Sequence, residues 1–423
     1  MSLIDDLRQR GLVAQASDES GLARHLAEGS RRVYCGFDPT ADSLHIGNLV
    51  PLLTLRRFQL FGHAPILLLG GATGMIGDPS GRSDERNLND QAVVDGWMER
   101  IRSQVEHFVD FEGNSAATMV NNLQWTRNLD VMTFLRNVGK HFSVNAMIQR
   151  ESVKNRLDRE GAGISFTEFS YMLLQSNDFV ELFQRHDCTV QIGGNDQWGN
   201  IVSGVDLIRR RLGGEAYALT LPLVTKADGT KFGKTAAGAV WLDPARKSPY
   251  GFFQFWMNTA DADVVHYLKT FTFLSFEEIE ALGGEVSEHP ERREAQKRLA
   301  TEVTRLVHGA DALASAERIS ASLFGGDLAV LEKSDLEQLR LDGMDATDPG
   351  GSSFGLLAVM VDCGLAKSRG AARKLVSGGG VRINGVPVSD PGIELDWSDA
   401  LFGCYYLIRR GKKNWHMLVR ETG

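Results

Sequence analysis

Apolar positions along the chain fall into two periods. Residues 33–37 and 65–69 are short apolar runs bounded by glycine or proline, which predicts buried strands. Between them, residues 46–61 carry helical spacing through Leu49, Leu52, Leu53, Leu55 and Phe58. Strand, helix and strand within about 40 residues make a βαβ unit, and hence an α/β domain on a parallel sheet. An amphipathic helix over 2–10 precedes it, with Leu3, Ile4 and Leu7 on one face. Further strands are expected at 117–121, 189–192 and 219–225. Residues 129–183 read as mostly helical, and their excess of apolar side chains suits an oligomer contact or a buried connecting helix. From Trp241 the pattern becomes helical and aromatic through 249–323, with a polar break at 283–290. The glycine-rich, polar stretch 326–352 reads as a linker. The expected organisation is therefore an α/β domain over 1–240 with a helical insertion at about 123–187, an α-helical domain over 241–325, the linker, and a small α+β domain over 353–423.

Composition changes this picture little. The chain has 423 residues, 43% hydrophobic and 24% charged, which excludes a disordered, collagen-like or disulfide-scaffold protein. Charge changes it more. The formal net charge of −8 divides unevenly, because residues 351–423 hold ten Lys/Arg against six Asp/Glu, while the first 350 hold 36 against 48. A small basic module follows an acidic body. Cys35, Cys188, Cys363 and Cys404 are scattered without ligand spacing, so reduced thiols are expected and no tightly bound metal. Asp5 and Asp6 stand where a secretion signal would carry cations, and the least polar stretch, 64–77, is too short to span a bilayer. A cytoplasmic protein with no membrane association is expected.

Two motifs carry chemistry. Residues 34–48 (YCGFDPTADSLHIGN) run from a strand end through Pro39 into a helix start at His45–Asn48. Such a turn offers backbone N–H groups and a positive dipole end to a phosphate. Thr40, His45 and Asn48 add side-chain donors, and Gly36 and Gly47 permit close approach of a ligand. Residues 226–235 (KADGTKFGKT) set three lysines around two glycines, as in a cationic loop that stabilises charge developing on a polyphosphate. Taken alone, the first motif could be a capped helix and the second a solvated loop.

Together they resemble the HIGH and KMSKS signatures of class I aminoacyl-tRNA synthetases, written here HIGN (45–48) and KFGKT (231–235). Residues 70–89, 166–179 (FTEFSYMLLQSNDF), 191–200 (QIGGNDQWGN) and 241–250 narrow the resemblance to the bacterial-type tyrosyl-tRNA synthetases, over essentially the whole chain. The resemblance implies a Rossmann-like parallel-sheet catalytic domain, an α-helical anticodon-arm-binding domain and a small α+β S4-like RNA-binding domain. It implies tyrosine activation by ATP with Mg²⁺, transfer to the 3′ end of tRNA(Tyr), and a homodimer.

Residue by residue, Tyr171, Gln175 and Asp178 fall at i, i+4 and i+7, one helix face presenting a phenol, an amide and a carboxylate. By the resemblance, Asp78, Tyr171 and Gln175 grip the α-ammonium of tyrosine, Tyr34 and Asp178 its phenolic hydroxyl, and Gln191 lies beside it. ATP is expected at Gly36, Asp38, Thr40, His45, Gly47, Asn48, Gly194, Asp196, Gln197, Lys231 and Lys234. The catalytic set is Thr40, His45, Asn48, Lys231, Lys234 and Thr235, with Arg82 and Arg86 on the pyrophosphate. Asn48 replaces a frequent second histidine of the signature, and Arg82 stands where the family can carry lysine; both keep a donor. In the tail, Arg369, Arg373, Lys374, Arg409, Arg410, Lys412 and Lys413, with Trp415 close by, are the expected tRNA contacts. A hairpin is expected at Asn384–Gly385 and a helix cap at Ser368. The rivals are a tryptophanyl-tRNA synthetase, which Tyr34, Asp178 and the tail argue against, and an RNA-binding protein built on a synthetase body, such as an intron-splicing cofactor.

Overall fold

The computed structural model describes residues 1–80, 90–150, 153, 154, 157, 163–230, 232–235 and 238–420, with the side chains of residues 234 and 235 outside that description. The expected site residues Arg82, Arg86 and Lys231 therefore lie outside the described residues, as do the side chains of Lys234 and Thr235. The chain forms two compact units, Met1–Leu242 with Ala260–Ala295, and Asp243–Thr259 with Gln296–Gly423. This division cuts through the helical segment 241–325.

The first unit is built on a six-stranded sheet. Its strands are β1 (Gln15–Ala16), β2 (Arg32–Phe37), β3 (Ala64–Leu69), β4 (Thr118–Asn121), β5 (Cys188–Gly194) and β6 (Tyr217–Leu221). Their order is β1-β6-β5-β2-β3-β4, all parallel except the edge strand β1, which runs antiparallel to β6. The expected α/β architecture and its βαβ unit are present. Strand β6 ends at Leu221 and not at 225, because Pro222 has no N–H to continue the ladder. β1 is only two residues long and leaves no readable period.

Helix α1 (Leu3–Gln9) starts at a capping box between Ser2 and Asp5. Helix α2 (Leu49–Leu60) crosses between β2 and β3 with Leu49, Leu52, Leu53, Leu55 and Phe58 buried. Helix α3 (Gln91–Val105) buries Val94, Met98 and Ile101. Helix α4 (Phe166–His186), capped by Ser165, packs against α5 (Trp198–Leu212). Phe179, Leu182, Leu207 and Ile208 join Tyr34, Ile66 and Leu68 of the sheet in one core. Helix α6 (Pro249–Met257) belongs to the second unit, and α7 (Asp261–Phe271) and α8 (Phe276–Glu288) to the first. The break expected at 283–290 starts later. The Ser275–Glu278 capping box nucleates α8 and buried Ile279 anchors it, so the helix runs through Gly283 and Gly284 until Pro290 prevents continuation.

In the second unit, the expected linker 326–352 is largely ordered. Leu328, Leu331, Leu336 and Leu339 are buried, and Asp335 accepts from Ser315 and from both Nε and Nη2 of Arg318. That pairing lets a short helix, Lys333–Gln338, form inside a glycine-rich stretch. The long helix α9 (Glu294–Leu323) kinks at Gly309, whose φ is 84°. Strand β9 (Ala346–Thr347) then adds to the tail sheet, ordered β12-β11-β14-β15-β9, from β11 (Val381–Ile383), β12 (Val386–Val388), β14 (Tyr405–Arg410) and β15 (Asn414–Val419), while β10 (Ser353–Gly355) and β13 (Glu394–Asp396) pair antiparallel with each other. The expected hairpin is present: Asn384 and Gly385 have φ of 47° and 84° between β11 and β12, the left-handed pair a two-residue turn needs.

Candidate functional site

The sheet order reverses between β2 and β5, and ligands of open α/β sheets bind outside the carboxyl ends of strands at such a point. Tyr34 of β2 pairs in register with Gln191 of β5 there. Both are buried, and neither Tyr34 Oη nor Gln191 Oε1 has a hydrogen-bond partner among the described residues. Asp178 projects from α4 into the same core. Its Oδ2 accepts from Asn122 Nδ2 at 2.9 Å and its Oδ1 from Trp125 Nε1 at 2.7 Å. Burial pushes the Asp178 carboxyl up to about 7 although both donors pull it down. Burial, and then the charge of Asp178, hold the Tyr34 hydroxyl well above the ordinary phenol range. Buried polar groups are normally satisfied, so two orphans beside an acidic oxygen pair describe a receptor for a polar hydroxyl or amide.

A second network lies beside the first. Tyr171 Oη donates to Asp38 Oδ2 at 2.6 Å, and Thr73 Oγ1 donates to Asp38 Oδ1 at 2.6 Å. Asn122 Nδ2 also donates to Thr73 Oγ1 at 3.0 Å, which joins the two networks. A Cβ at Gly70 would collide with Asp38 and Thr73, so this contact requires glycine there. Asp78 accepts from the Ser80 N–H at 2.8 Å and from Gln197 Nε2 at 2.6 Å. Asn200 Nδ2 donates to Gln175 Oε1 at 3.0 Å and Gln197 Oε1 at 3.3 Å. Tyr171, Gln175 and Asp178 do share one face of α4, as their spacing predicts. Asp38, expected on the nucleotide side, is tied to Tyr171, whose expected place is beside the amino acid.

The sequence reading missed Thr73, Asn122, Trp125 and Asn200. Asn122 and Trp125 follow the carboxyl end of β4, and that position was the available signal.

The helix-start motif is closed by two reciprocal caps. His45 Nδ1 accepts from the Gly47 N–H at 3.1 Å, and Asn48 Oδ1 accepts from the His45 N–H at 3.0 Å. With Nδ1 accepting, the neutral ring carries its proton on Nε2, and His45 is exposed. A Cβ on Gly47 would lie 2.9 Å from the ring, which fixes glycine at that place. The Ile46 N–H donates to Val240 O at 2.8 Å and the Leu242 N–H to Leu44 O at 2.9 Å. A Cβ at Gly233 would come 2.5 Å from Ile46 Cγ2, and its φ is +78°. The two sequence motifs, whose His45 and Lys231 stand 186 positions apart in the chain with half of the sheet between them, are thus brought together at Ile46 and Gly233. The backbone of β7 (Lys234–Thr235) pairs with β8 (Gly238–Ala239). Thr40 and Gly36 are exposed near the end of β2. Gly194 and the turn Asn195–Gln197 close the end of β5. Asp196 is exposed at that rim, yet the surrounding protein and then the charge of Asp78 push its carboxyl up.

In the tail, helix α11 (Arg369–Ser377, preceded by α10, Leu356–Asp362) is capped by Ser368, which accepts from the Ala371 N–H at 3.2 Å. Arg369, Arg373 and Lys374 are exposed on it, and Lys412 and Lys413 are exposed between β14 and β15. The Arg409 guanidinium stacks 5.1 Å from the Trp415 ring. Arg410 Nη1 donates to Leu365 O at 2.6 Å, so that guanidinium also holds the tail together.

Residues 26–325 match the family described as tRNA synthetases class I (W and Y). That match alone leaves tyrosine and tryptophan open. Residues 335–418 match a tyrosine–tRNA ligase C-terminal domain. A tyrosine–tRNA ligase of Aliivibrio salmonicida is 55% identical over 418 residues, 99% of this chain and 98% of that protein. The chain belongs to the tyrosine–tRNA ligases. The Escherichia coli tyrosine–tRNA ligase is 54% identical across the same share of both chains. A solved C-terminally truncated mitochondrial tyrosyl-tRNA synthetase of Aspergillus nidulans superposes with a TM-score of 0.69 at 32% identity, covering 76% of this chain and 94% of that one. Tryptophanyl-tRNA synthetase of Plasmodium falciparum, at 12% identity and a TM-score of 0.53, shares the fold. ATP is a substrate of this ligase family, and no helix among the described residues is long and apolar enough to cross a membrane.

Proposed function

We propose that the chamber of Tyr34, Asp178 and Gln191 reads the phenolic hydroxyl of tyrosine, and that this reading selects the substrate. The observation that carries it is the pair of buried orphans, Tyr34 Oη and Gln191 Oε1, beside the doubly held Asp178. The hydroxyl would donate to Asp178 and accept from Tyr34. Phenylalanine would leave the Tyr34 hydroxyl buried without an acceptor and would give Asp178 no donor beyond Asn122 and Trp125, at a cost of about 1–3 kcal/mol for the unpaired hydroxyl. Asp78, Tyr171 and Gln175 would hold the α-ammonium, a cation placed beside the carboxylates of Asp38 and Asp78.

The tyrosine carboxylate oxygen attacks the α-phosphorus of ATP in line. A P–O bond to the carboxylate forms, the bond to the β-phosphate oxygen breaks, and pyrophosphate leaves. Catalysis is then positioning plus stabilisation of the leaving charge. His45 Nε2–H, the Asn48 amide, Thr40, Lys231, Lys234 and Thr235 would supply it, with Arg82 and Arg86 on the pyrophosphate. Gly36, Asp38, Gly47, Gly194, Asp196 and Gln197 would line the nucleotide. Mg²⁺ fits as a companion of ATP, because both oxygens of Asp38 and of Asp78 already accept hydrogen bonds and the phosphates offer the remaining oxygens. It would neutralise phosphate charge. The adenylate then passes its acyl group to the 3′ end of tRNA(Tyr) and AMP leaves.

Exposed Val131, Met132, Leu135, Val144 and Ile148 give the segment 131–148 an apolar surface suited to a second copy of the chain, and a homodimer in the cytoplasm is the assembly proposed.

Tyr34→Phe tests the hydroxyl reading. The lost Oη has no partner among the described residues, so melting temperature should stay level or rise. The KM for tyrosine in ATP–pyrophosphate exchange should increase roughly three- to tenfold, with that for phenylalanine unchanged or lower. An unchanged tyrosine KM would remove Tyr34 from the hydroxyl. In the tail, replacing Arg369, Arg373, Lys412 and Lys413 together by alanine should raise the KM for tRNA at least tenfold. The logarithmic salt dependence of tRNA binding should become shallower by about three, while exchange, which needs no tRNA, stays within twofold.

A further inference from the structure

Helix α7 presents a stripe at i, i+4 and i+8 to the segment that leads into the lysine motif. Asp263 is buried in its first turn, and its Oδ1 accepts from the Ala227 N–H at 2.6 Å. Tyr267 Oη donates to Thr225 O at 3.4 Å. Phe232, between Lys231 and Lys234 in the sequence, stacks on Tyr267 with ring centroids 4.7 Å apart and on Phe271 at 5.2 Å. The segment closes on itself as well: the Lys226 N–H donates to Thr230 O at 2.9 Å and the Phe232 N–H to Val224 O at 3.3 Å. It is therefore a short preformed turn resting on one helix face.

The other end of α7 is tied to the helix that follows His45. Arg57, in the last turn of α2, donates to Thr272 O and stacks 4.6 Å from the Phe273 ring. Arg10 donates to Lys269 O at 3.3 Å and Leu274 O at 2.9 Å, and its guanidinium also pairs with Asp6. Two cations thus satisfy carbonyls that the end of a helix leaves without partners. The α2–α7 pair is joined at its carboxyl ends by Arg57, and near its amino ends the lysine motif meets Ile46 through Gly233.

We propose that α7 is the seat that sets the lysine motif at its working distance from His45, with Asp263 and Tyr267 as positioning residues for ATP activation. This rests on the reading that the lysine motif acts on ATP. Asp263 suits the role because a buried carboxylate at a helix amino end is held by the dipole and aims one oxygen at a single backbone N–H. Displacing the motif by about an ångström suffices for a large loss of rate, since its cations act only when aligned with the leaving group.

The test is ATP–pyrophosphate exchange by the full-length protein carrying Asp263→Ala, Asp263→Asn, Tyr267→Phe, Phe232→Ala, or Lys234→Ala. Asp263→Ala is expected to lower kcat by roughly ten- to a hundredfold with the tyrosine KM within twofold of the parent. Asp263→Asn, whose Oδ1 still accepts, should recover at least a third of the parent kcat. Should Asp263→Ala not fold, Phe232→Ala, which removes the motif's packing on Tyr267 and Phe271 of the same helix face, should show the same kcat loss without a tyrosine KM change. Exchange kinetics at parent values in folded Asp263→Ala and Phe232→Ala, or equal changes in kcat and tyrosine KM, would overturn the proposal. Lys234→Ala separates the two readings. If it costs exchange while Asp263→Ala and Phe232→Ala do not, only the seat fails; if Lys234→Ala leaves exchange intact, the reading of the motif itself fails.

Discussion

Asp178→Ala is expected to lower kcat/KM for tyrosine by roughly 30- to 1,000-fold, about 2–4 kcal/mol, while leaving that for phenylalanine unchanged or higher. Three physical effects add. The substrate hydroxyl loses an ionised acceptor, and hydrogen bonds to charged groups are the stronger ones. Asn122 Nδ2 and Trp125 Nε1 lose the oxygens they now hold at 2.9 and 2.7 Å. Phenylalanine, in contrast, no longer has to pack against a carboxylate to which it offers no hydrogen bond. The ratio of the two exchange rates reads the effect directly, and an unchanged ratio would take Asp178 out of the hydroxyl site.

The same carboxyl gives a pH signature. Burial raises it to about 7 in the folded protein, above its ordinary value of 3.8. The folded state therefore binds this proton more tightly than the unfolded chain does. Between about pH 4 and pH 7 this group makes stability fall as pH rises, and the penalty is complete above pH 7. Relative to the parent, Asp178→Asn should thus gain stability between pH 4 and pH 8, as read by melting temperature at each pH. Because the ionised form accepts the phenol proton, tyrosine affinity should be about tenfold weaker at pH 6 than at pH 8, and Asp178→Asn should lose that slope.

His45→Ala is expected to lower the rate of adenylate formation by roughly 10²–10³ with little change in tyrosine affinity. The Gly47 N–H occupies Nδ1, so the ring offers its single proton from Nε2, at a helix start where an anion is already favoured. His45→Asn, which retains an amide donor, should recover part of the loss. Single-turnover kinetics separate the two quantities: equal losses in rate and tyrosine affinity would move His45 from the reacting phosphates to the amino acid.

Where the chain spells its structure in local chemistry, it is readable. The run 33–37 and the helix through Leu49 and Phe58 announce β2, α2 and β3, and Asn384–Gly385 announces a turn that only left-handed residues make. The face of Tyr171, Gln175 and Asp178 follows from helical spacing alone. Other features depend on partners far along the chain. Nothing local distinguishes Asn122 or Trp125 from ordinary residues of a short helix until α4 brings Asp178 against them from 53 positions away. The ordered stretch around Asp335 depends on Arg318 and Ser315 of α9 and is hidden by its glycines. Likewise, α7 reads as one helix of a bundle, and long-range contacts such as those of Asp263 with Ala227 and of Arg57 with Thr272 attach it to the elements around the sheet.

ATP–pyrophosphate exchange, measured with each of the twenty amino acids in turn, tests the central claim most directly. Tyrosine alone should stimulate exchange. Stimulation by tryptophan, or by phenylalanine to a level comparable with tyrosine, would contradict the hydroxyl-reading site and the assignment built on it.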